Sequence, residues 1–116
     1  MLMGQTSPTN PPLSIGVIGA GYVGLTTGVC FSEVGHQVIC VDNDDDKLAM
    51  LERGQCPIYE PDLELMLRKN LSRGTLTLRR RVNDTVRDCQ VIFICVNTPP
   101  KTDGRADLRF VEAVAR

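Results

Sequence analysis

Residues 14–25 read SIGVIGAGYVGL and residues 37–42 read QVICVD. The first stretch opens on an apolar, partly β-branched run, SIGVI, that ends at a glycine, the pattern of a short buried strand. Gly19-Ala20-Gly21-Tyr22-Val23-Gly24 follows at once and fits G-x-G-x-x-G. Alone that pattern is weak, because glycine-rich turns occur in many unrelated α/β proteins. Here it lies between a predicted strand and a predicted helix, and Asp42 closes the next strand 18 residues beyond Gly24. Gly19 then permits the tight turn, Gly21 lets the backbone approach a pyrophosphate, and Gly24 lets helix and strand pack closely. The unpaired N–H groups and dipole at a helix start suit phosphate oxygens. Asp42 is placed to accept hydrogen bonds from the ribose hydroxyls of an adenosine, a role compatible with capping the following helix. Its charge repels a 2′-phosphate, and the following residues, Asn43 to Asp46, include no arginine to receive one, so NAD is expected rather than NADP.

Along the rest of the chain, strands and helices alternate. A helix is expected over residues 22–34, with Val23, Thr27, Cys30 and Val34 at i, i+4, i+7 and i+11 on one face and Gly35 as terminator. QVICV is the second strand, and Asp44, Asp45 and Asp46 open a helix that turns Leu48 and Leu51 inward and stops at Gly54. Pro61 starts a third helix with Leu63, Met66, Leu67 and Leu71 as its apolar stripe and Arg68, Lys69 and Arg73 towards its C-terminal end. TLTL, residues 75–78, is a less buried third strand, and residues 84–88 form one helical turn. VIFICV, residues 91–96, is a continuous apolar run of the kind covered on both faces. A loop over residues 97–104 precedes a helix from Asp107 that aligns Leu108, Val111 and Ala115. This alternation predicts an α/β fold of the Rossmann type, a doubly wound parallel sheet, incomplete at about four strands. The polar, proline-rich residues 1–12 are expected to be a disordered tail, and residues 13–116 the dinucleotide-binding domain.

Composition removes several alternatives. Thirteen basic against fourteen acidic residues leave no cationic surplus for a nucleic-acid backbone or an anionic membrane. Aromatics are 4% with no Trp, too few for a base-stacking platform. Residues 13–32 carry no charge and are long enough to span a bilayer, but Gly16, Gly19, Gly21, Gly24 and Gly28 would drive insertion weakly. No nucleic-acid or membrane partner is expected, and the chain reads as soluble and cytoplasmic. The odd count of five cysteines, the lack of a CxxC pair and the single histidine, His36, leave a zinc site almost no ligand set, and no metal is expected. Most of these cysteines sit among apolar neighbours, as small buried hydrophobes of a reducing compartment, and Cys56 is the one thiol with any claim to reactivity. Arg79-Arg80-Arg81 reads as a solvated strand edge that blocks aggregation, and His36 as a surface residue at a helix end. In the strand order 3-2-1-4, VIFICV lies beside the first strand. Thr98 and the neighbouring backbone would then face the cofactor from across the switch point, although a plain proline turn explains Asn97-Thr98-Pro99-Pro100 equally well.

Taken in order, GAGYVGL, VDND with Lys47 five residues past Asp42, PIYEP, VIFICVNTPP and DGRADL resemble the N-terminal NAD-binding domain of the UDP-glucose/GDP-mannose dehydrogenase family, over residues 13–116. The Tyr of PIYEP and the Asn of VNTP are more similar to its UDP-glucose branch. The resemblance implies that Gly19, Ala20, Gly21, Tyr22, Val23 and Gly24 bind the pyrophosphate and that Asp42 and Lys47 hold the adenosine ribose. It also places Val96, Asn97, Thr98, Pro99 and Pro100 near the nicotinamide half. Two positions depart from the family pattern: Asp62 stands where Gly is usual, and Pro100 where many members have Thr.

Members of that family oxidise a sugar C6 alcohol to a carboxylate in two steps, reducing two NAD, through a covalent cysteine in a C-terminal domain. The resemblance implies that these residues are the cofactor-binding part of such an enzyme, inactive alone. UDP-glucose would be held only through the further domain, and the parent enzyme would be a homo-oligomer. None of the five cysteines matches the family nucleophile, so no catalytic residue is assigned here. Another NAD-dependent nucleotide-sugar or hydroxyacid dehydrogenase, or a non-catalytic NAD-binding module, are the alternatives. Without a fifth strand beside it, VIFICV would leave an apolar sheet edge that drives self-association.

Overall fold

The computed structural model describes residues 11–57 and 60–96. Strands form where apolar and β-branched residues run together: β1 (Ser14–Ile18), β2 (Gln37–Val41), β3 (Leu76–Arg79) and β4 (Val91–Ile94). Helices α1 (Tyr22–Glu33), α2 (Asp45–Glu52), α3 (Pro61–Arg73) and α4 (Asn83–Val86) fill the intervals. The carboxylate of Asp44 accepts the Lys47 N–H and caps α2, and Asp45 and Asp46 add favourable charge to its first turn. Pro61 occupies the first turn of α3, and Gly74, left-handed at φ 79°, ends it.

All strand pairs are parallel, in the expected order β3-β2-β1-β4. Alternation along β1 shows that both faces are covered. On one face Val17 approaches Gly28 of α1; on the other, Gly16 looks towards Thr85 of α4 and Cys89. The main core lies on the α1 side, where Ile15, Val17, Val38 and Cys40 meet Leu25 and Val29 of α1, Leu51 of α2, and Leu63 and Leu67 of α3. At about 25 cal/mol per Å² of apolar surface, burial of such residues is the main force holding the layers together.

Helix α1 does not bury the face that its bulky residues suggested. Val23 and Val34 are 65% and 72% exposed and Cys30 is exposed, whereas Gly24, Leu25, Gly28, Val29 and Ser32 face the sheet. The reason is steric: a Cβ on Gly28 would lie 2.5 Å from the Cys40 sulfur, so the helix sits too close to β2 for larger side chains. The strand over residues 91–96 is also less covered than its apolar run implied. As β4 it pairs on one side only among the described residues, and Val91 and Ile94 are 36% and 39% exposed. β3 and α4 fall one residue away from the expected starts.

The C-terminal end of α1 is tied to α3 and β3 by polar groups that satisfy one another. Glu33 accepts from Lys69 Nζ at 2.8 Å and from the amide of Asn70 at 3.0 Å. Asn70, fully buried, also donates to the Met66 carbonyl and accepts from the Thr75 hydroxyl. Ser32, also fully buried, donates to the Gly28 carbonyl. Past α2, Arg68 holds the Gly54 carbonyl while Glu64 accepts the Cys56 N–H, which carries the connecting segment along α3 towards the start of that helix. The lone histidine is half-buried rather than a plain surface residue: its Nδ1 accepts the Leu13 N–H and so anchors the entry to β1.

Candidate functional site

At the carboxyl end of β1 the chain turns through Gly19 and Ala20 into α1, whose N-cap is Gly21. Gly19 has φ +102°, and a Cβ there would lie 2.6 Å from the Cys95 carbonyl oxygen. A Cβ on Gly24 would run into the carbonyl of Gly19. The protein's own packing therefore requires both glycines. Gly21 is different. Nothing lies within 4 Å of the position its Cβ would occupy, so the fold itself gives no steric reason for glycine there. Space is left open beside the start of a helix that has no side-chain cap and no acidic residue in its first turn. Tyr22 and Val23 point outward, 56% and 65% exposed.

Asp42 stands just past β2, and its carboxylate has three protein donors. Oδ2 accepts the Ala20 N–H at 2.9 Å and Lys47 Nζ at 3.1 Å, while Oδ1 accepts the Asp44 N–H at 2.9 Å. The helix cap is thus Asp44, and Asp42 sits two residues earlier as the hub between the glycine turn and α2. Burial pushes its pKa up, but the Ala20 and Asp44 N–H groups and the Lys47 ammonium outweigh that and hold it below the usual aspartate range. The ionised form is therefore the one the site is built around. The N–H of Gly19 is directed the same way, to the Val41 carbonyl at 2.8 Å. With Gly19 and Ala20 turned towards β2, the donors facing outward begin at the first turn of α1.

From the far side β4 closes on the turn. Cys95 donates its N–H to the Ile18 carbonyl at 2.7 Å, and Val96 follows half-buried. Asn97, Thr98, Pro99 and Pro100 lie outside the described residues, as do Ile58 and Tyr59 of PIYEP, residues 1–10 of the tail and the helix expected from Asp107. A cleft of about 440 Å³ between α2 and the end of β3 shares no lining residue with the glycine turn. Arg80 on its rim is paired with Asp45 at 2.7 Å, in keeping with a charged strand edge. Burial pushes the Cys40 thiol up to about 12, and burial likewise raises Cys56, where Glu64 adds to the effect and Arg68 partly offsets it. Cys56 is thus a protonated, buried thiol, the opposite of an activated nucleophile.

Residues 13–116 match the model of the UDP-glucose/GDP-mannose dehydrogenase family, NAD binding domain. The chain belongs to that family. A UDP-glucose 6-dehydrogenase of Pseudomonas aeruginosa is 52% identical over 99 residues, 85% of this chain and 22% of that protein. Among solved structures, a UDP-glucose dehydrogenase of the hyperthermophilic archaeon Pyrobaculum islandicum superposes with a TM-score of 0.90 at 39% identity, covering 97% of this chain and 26% of the other. A GDP-mannose dehydrogenase of Pseudomonas aeruginosa gives 0.82 at 40% identity, covering 86% and 23%. The chain thus spans about a quarter of the length of the relatives it matches.

For this dehydrogenase-family domain the cofactor is NAD. The residues present suit it: an open cradle at Gly21, uncapped first-turn donors in α1, and an ionised carboxylate at the end of β2. The sequence pattern located the turn and the acid. What it missed is that Asp42 bonds the turn itself, and that the Cys95 backbone is what makes Gly19 obligatory. Both are contacts between segments far apart in the chain, and no local pattern signals them.

Proposed function

We propose that this chain is the NAD-holding segment of a UDP-glucose 6-dehydrogenase, with its binding unit beginning at Leu13. The first-turn N–H groups of α1, from Gly21 to Gly24, hold the pyrophosphate, and Asp42 with Lys47 holds the adenosine ribose. Val96, Asn97, Thr98, Pro99 and Pro100 border the nicotinamide half. The observation that carries this reading is the vacancy beside Gly21, where the fold needs no glycine but a dinucleotide backbone does. The UDP-glucose branch is favoured by the name of the 52%-identical relative. When bound, NAD supplies the hydride acceptor; the chain's own residues bind and orient it.

In this reading UDP-glucose is engaged by parts of the enzyme beyond this segment, and the whole enzyme is a cytoplasmic homo-oligomer. Five free cysteines suit a reducing compartment, and no described helix is long and apolar enough to cross a membrane. Calorimetric titration of the 116-residue chain with NAD and NADP tests the cofactor assignment. NAD should bind at least about tenfold tighter, because a 2′-phosphate would meet the Asp42 charge. Equal affinity for the two would overturn it.

A further inference from the structure

A carboxylate offers about four acceptor positions, two on each oxygen. In Asp42 both positions on Oδ2 are taken, by the Ala20 N–H and by Lys47 Nζ, while Oδ1 carries only the Asp44 N–H. The two oxygens therefore have different duties. Oδ1 is the oxygen with the more open acceptor position for a ribose hydroxyl. Oδ2 is committed to the glycine turn.

The turn needs that commitment. Ala20 is fully buried and directly precedes Gly21, the N-cap of α1. Its N–H bond to Asp42 and the neighbouring bond from Gly19 to Val41 are what join the turn to the end of β2. Both set the direction in which the following N–H groups point. We infer that Asp42 is a positioning residue for the pyrophosphate turn, acting through Oδ2 and the Ala20 N–H, in addition to meeting the ribose. This rests on the NAD-binding reading above, and it predicts that losing Asp42 weakens ligands with no ribose hydroxyls at all.

The test is a cycle between protein and ligand. The 116-residue chain, its Asp42→Ala variant and its Asp42→Asn variant are titrated with ADP and with 2′,3′-dideoxy-ADP, which keeps the pyrophosphate and lacks the diol. Removing a negative charge by itself favours a polyanion, so a loss on Asp42→Ala with the dideoxy ligand has no simple electrostatic origin. A loss of about fivefold is expected there, the worth of one hydrogen bond that orders the turn. Asp42→Asn keeps a carbonyl oxygen for the Ala20 N–H and should restore dideoxy-ADP affinity, though not the full ADP affinity. Hydrogen exchange at the Ala20 amide follows the same contact without ligand: protected in the wild type and in Asp42→Asn, faster in Asp42→Ala. Equal affinity of wild type and Asp42→Ala for dideoxy-ADP, with ADP weakened, would overturn the positioning role and leave the ribose role standing. So would an Ala20 amide whose exchange ignores all substitutions. Should Asp42→Ala fail to fold, Asp42→Val, which keeps bulk at the position and offers no acceptor to the Ala20 N–H, takes its place: unchanged dideoxy-ADP affinity there would overturn the positioning role, and a loss of about fivefold would support it. A wild-type chain that binds neither nucleotide would contradict the NAD-binding reading itself.

Discussion

The two ends of α1 are built on opposite plans. At the C-terminal end Ser32, Glu33, Lys69, Asn70 and Thr75 close a network in which each polar group meets another protein group. At the N-terminal end the helix begins at an uncapped glycine with open space beside it and no acidic side chain in its first turn. Unsatisfied helix-end donors are costly when nothing meets them. The contrast teaches that one end of this helix serves the fold, while the other is held rigid by Gly19, Gly24 and Asp42 and left for a ligand.

The largest effect is expected where that rigidity is steric. Gly24→Ala should lower stability by about 2–3 kcal/mol, because the new Cβ drives into the Gly19 carbonyl. Denaturant unfolding measures it; an unchanged midpoint would break the claim that packing alone demands this glycine. At the other end, Asn70→Ala should cost about 2 kcal/mol by leaving the Thr75 hydroxyl and Glu33 short of a partner, with NAD affinity of the folded protein unchanged. A comparable loss of NAD affinity would show that the two ends are not separate in function.

How much of this was legible in the sequence depends on the kind of contact. β1 and β2 fall where their apolar runs lie, because a strand between two layers needs predominantly apolar residues, and this chain has them within SIGVI and QVICV. The turn was legible because its glycines and Asp42 recur at fixed spacing in a known motif. The buried face of α1 was not, because it is made partly of Gly24, Gly28 and Ser32, which carry little apolar weight in a periodicity. Proximity to β2, not hydrophobicity, decides which side of that helix faces in. The C-terminal network was equally hidden, since Asn70 and Glu33 are 37 residues apart and look like ordinary surface polar residues.

Gly21→Ala sharpens the comparison from the ligand side. With no atom within 4 Å of the new methyl, stability should stay within about 0.5 kcal/mol of wild type. NAD affinity should nevertheless fall at least about tenfold, as the methyl occupies the space kept for the dinucleotide. A destabilised variant with normal affinity would reverse the assignment of that space.

Acid gives the smallest signal. Asp42 and Glu33 both titrate below the ordinary carboxylate range, Asp42 because its donors outweigh burial, Glu33 chiefly through its bond from Lys69. Groups with a lowered folded-state pKa add stability above the unfolded pKa and lose it as pH falls through the folded one. Stability should therefore decline as pH drops from about 5 to about 2, and less steeply in Asp42→Asn, which has no carboxyl to titrate. Parallel slopes for the two proteins would show that Asp42 contributes no such linkage.

The most direct measurement is an amide chemical-shift titration of the chain with NAD. The largest changes are expected at Gly21, Tyr22, Val23 and Gly24, with Asp42 and Lys47 next, and little at Ser32, Glu33, Asn70 or Thr75. Changes centred on the C-terminal end of α1, with the glycine turn unmoved, would contradict this division between the ends of the helix.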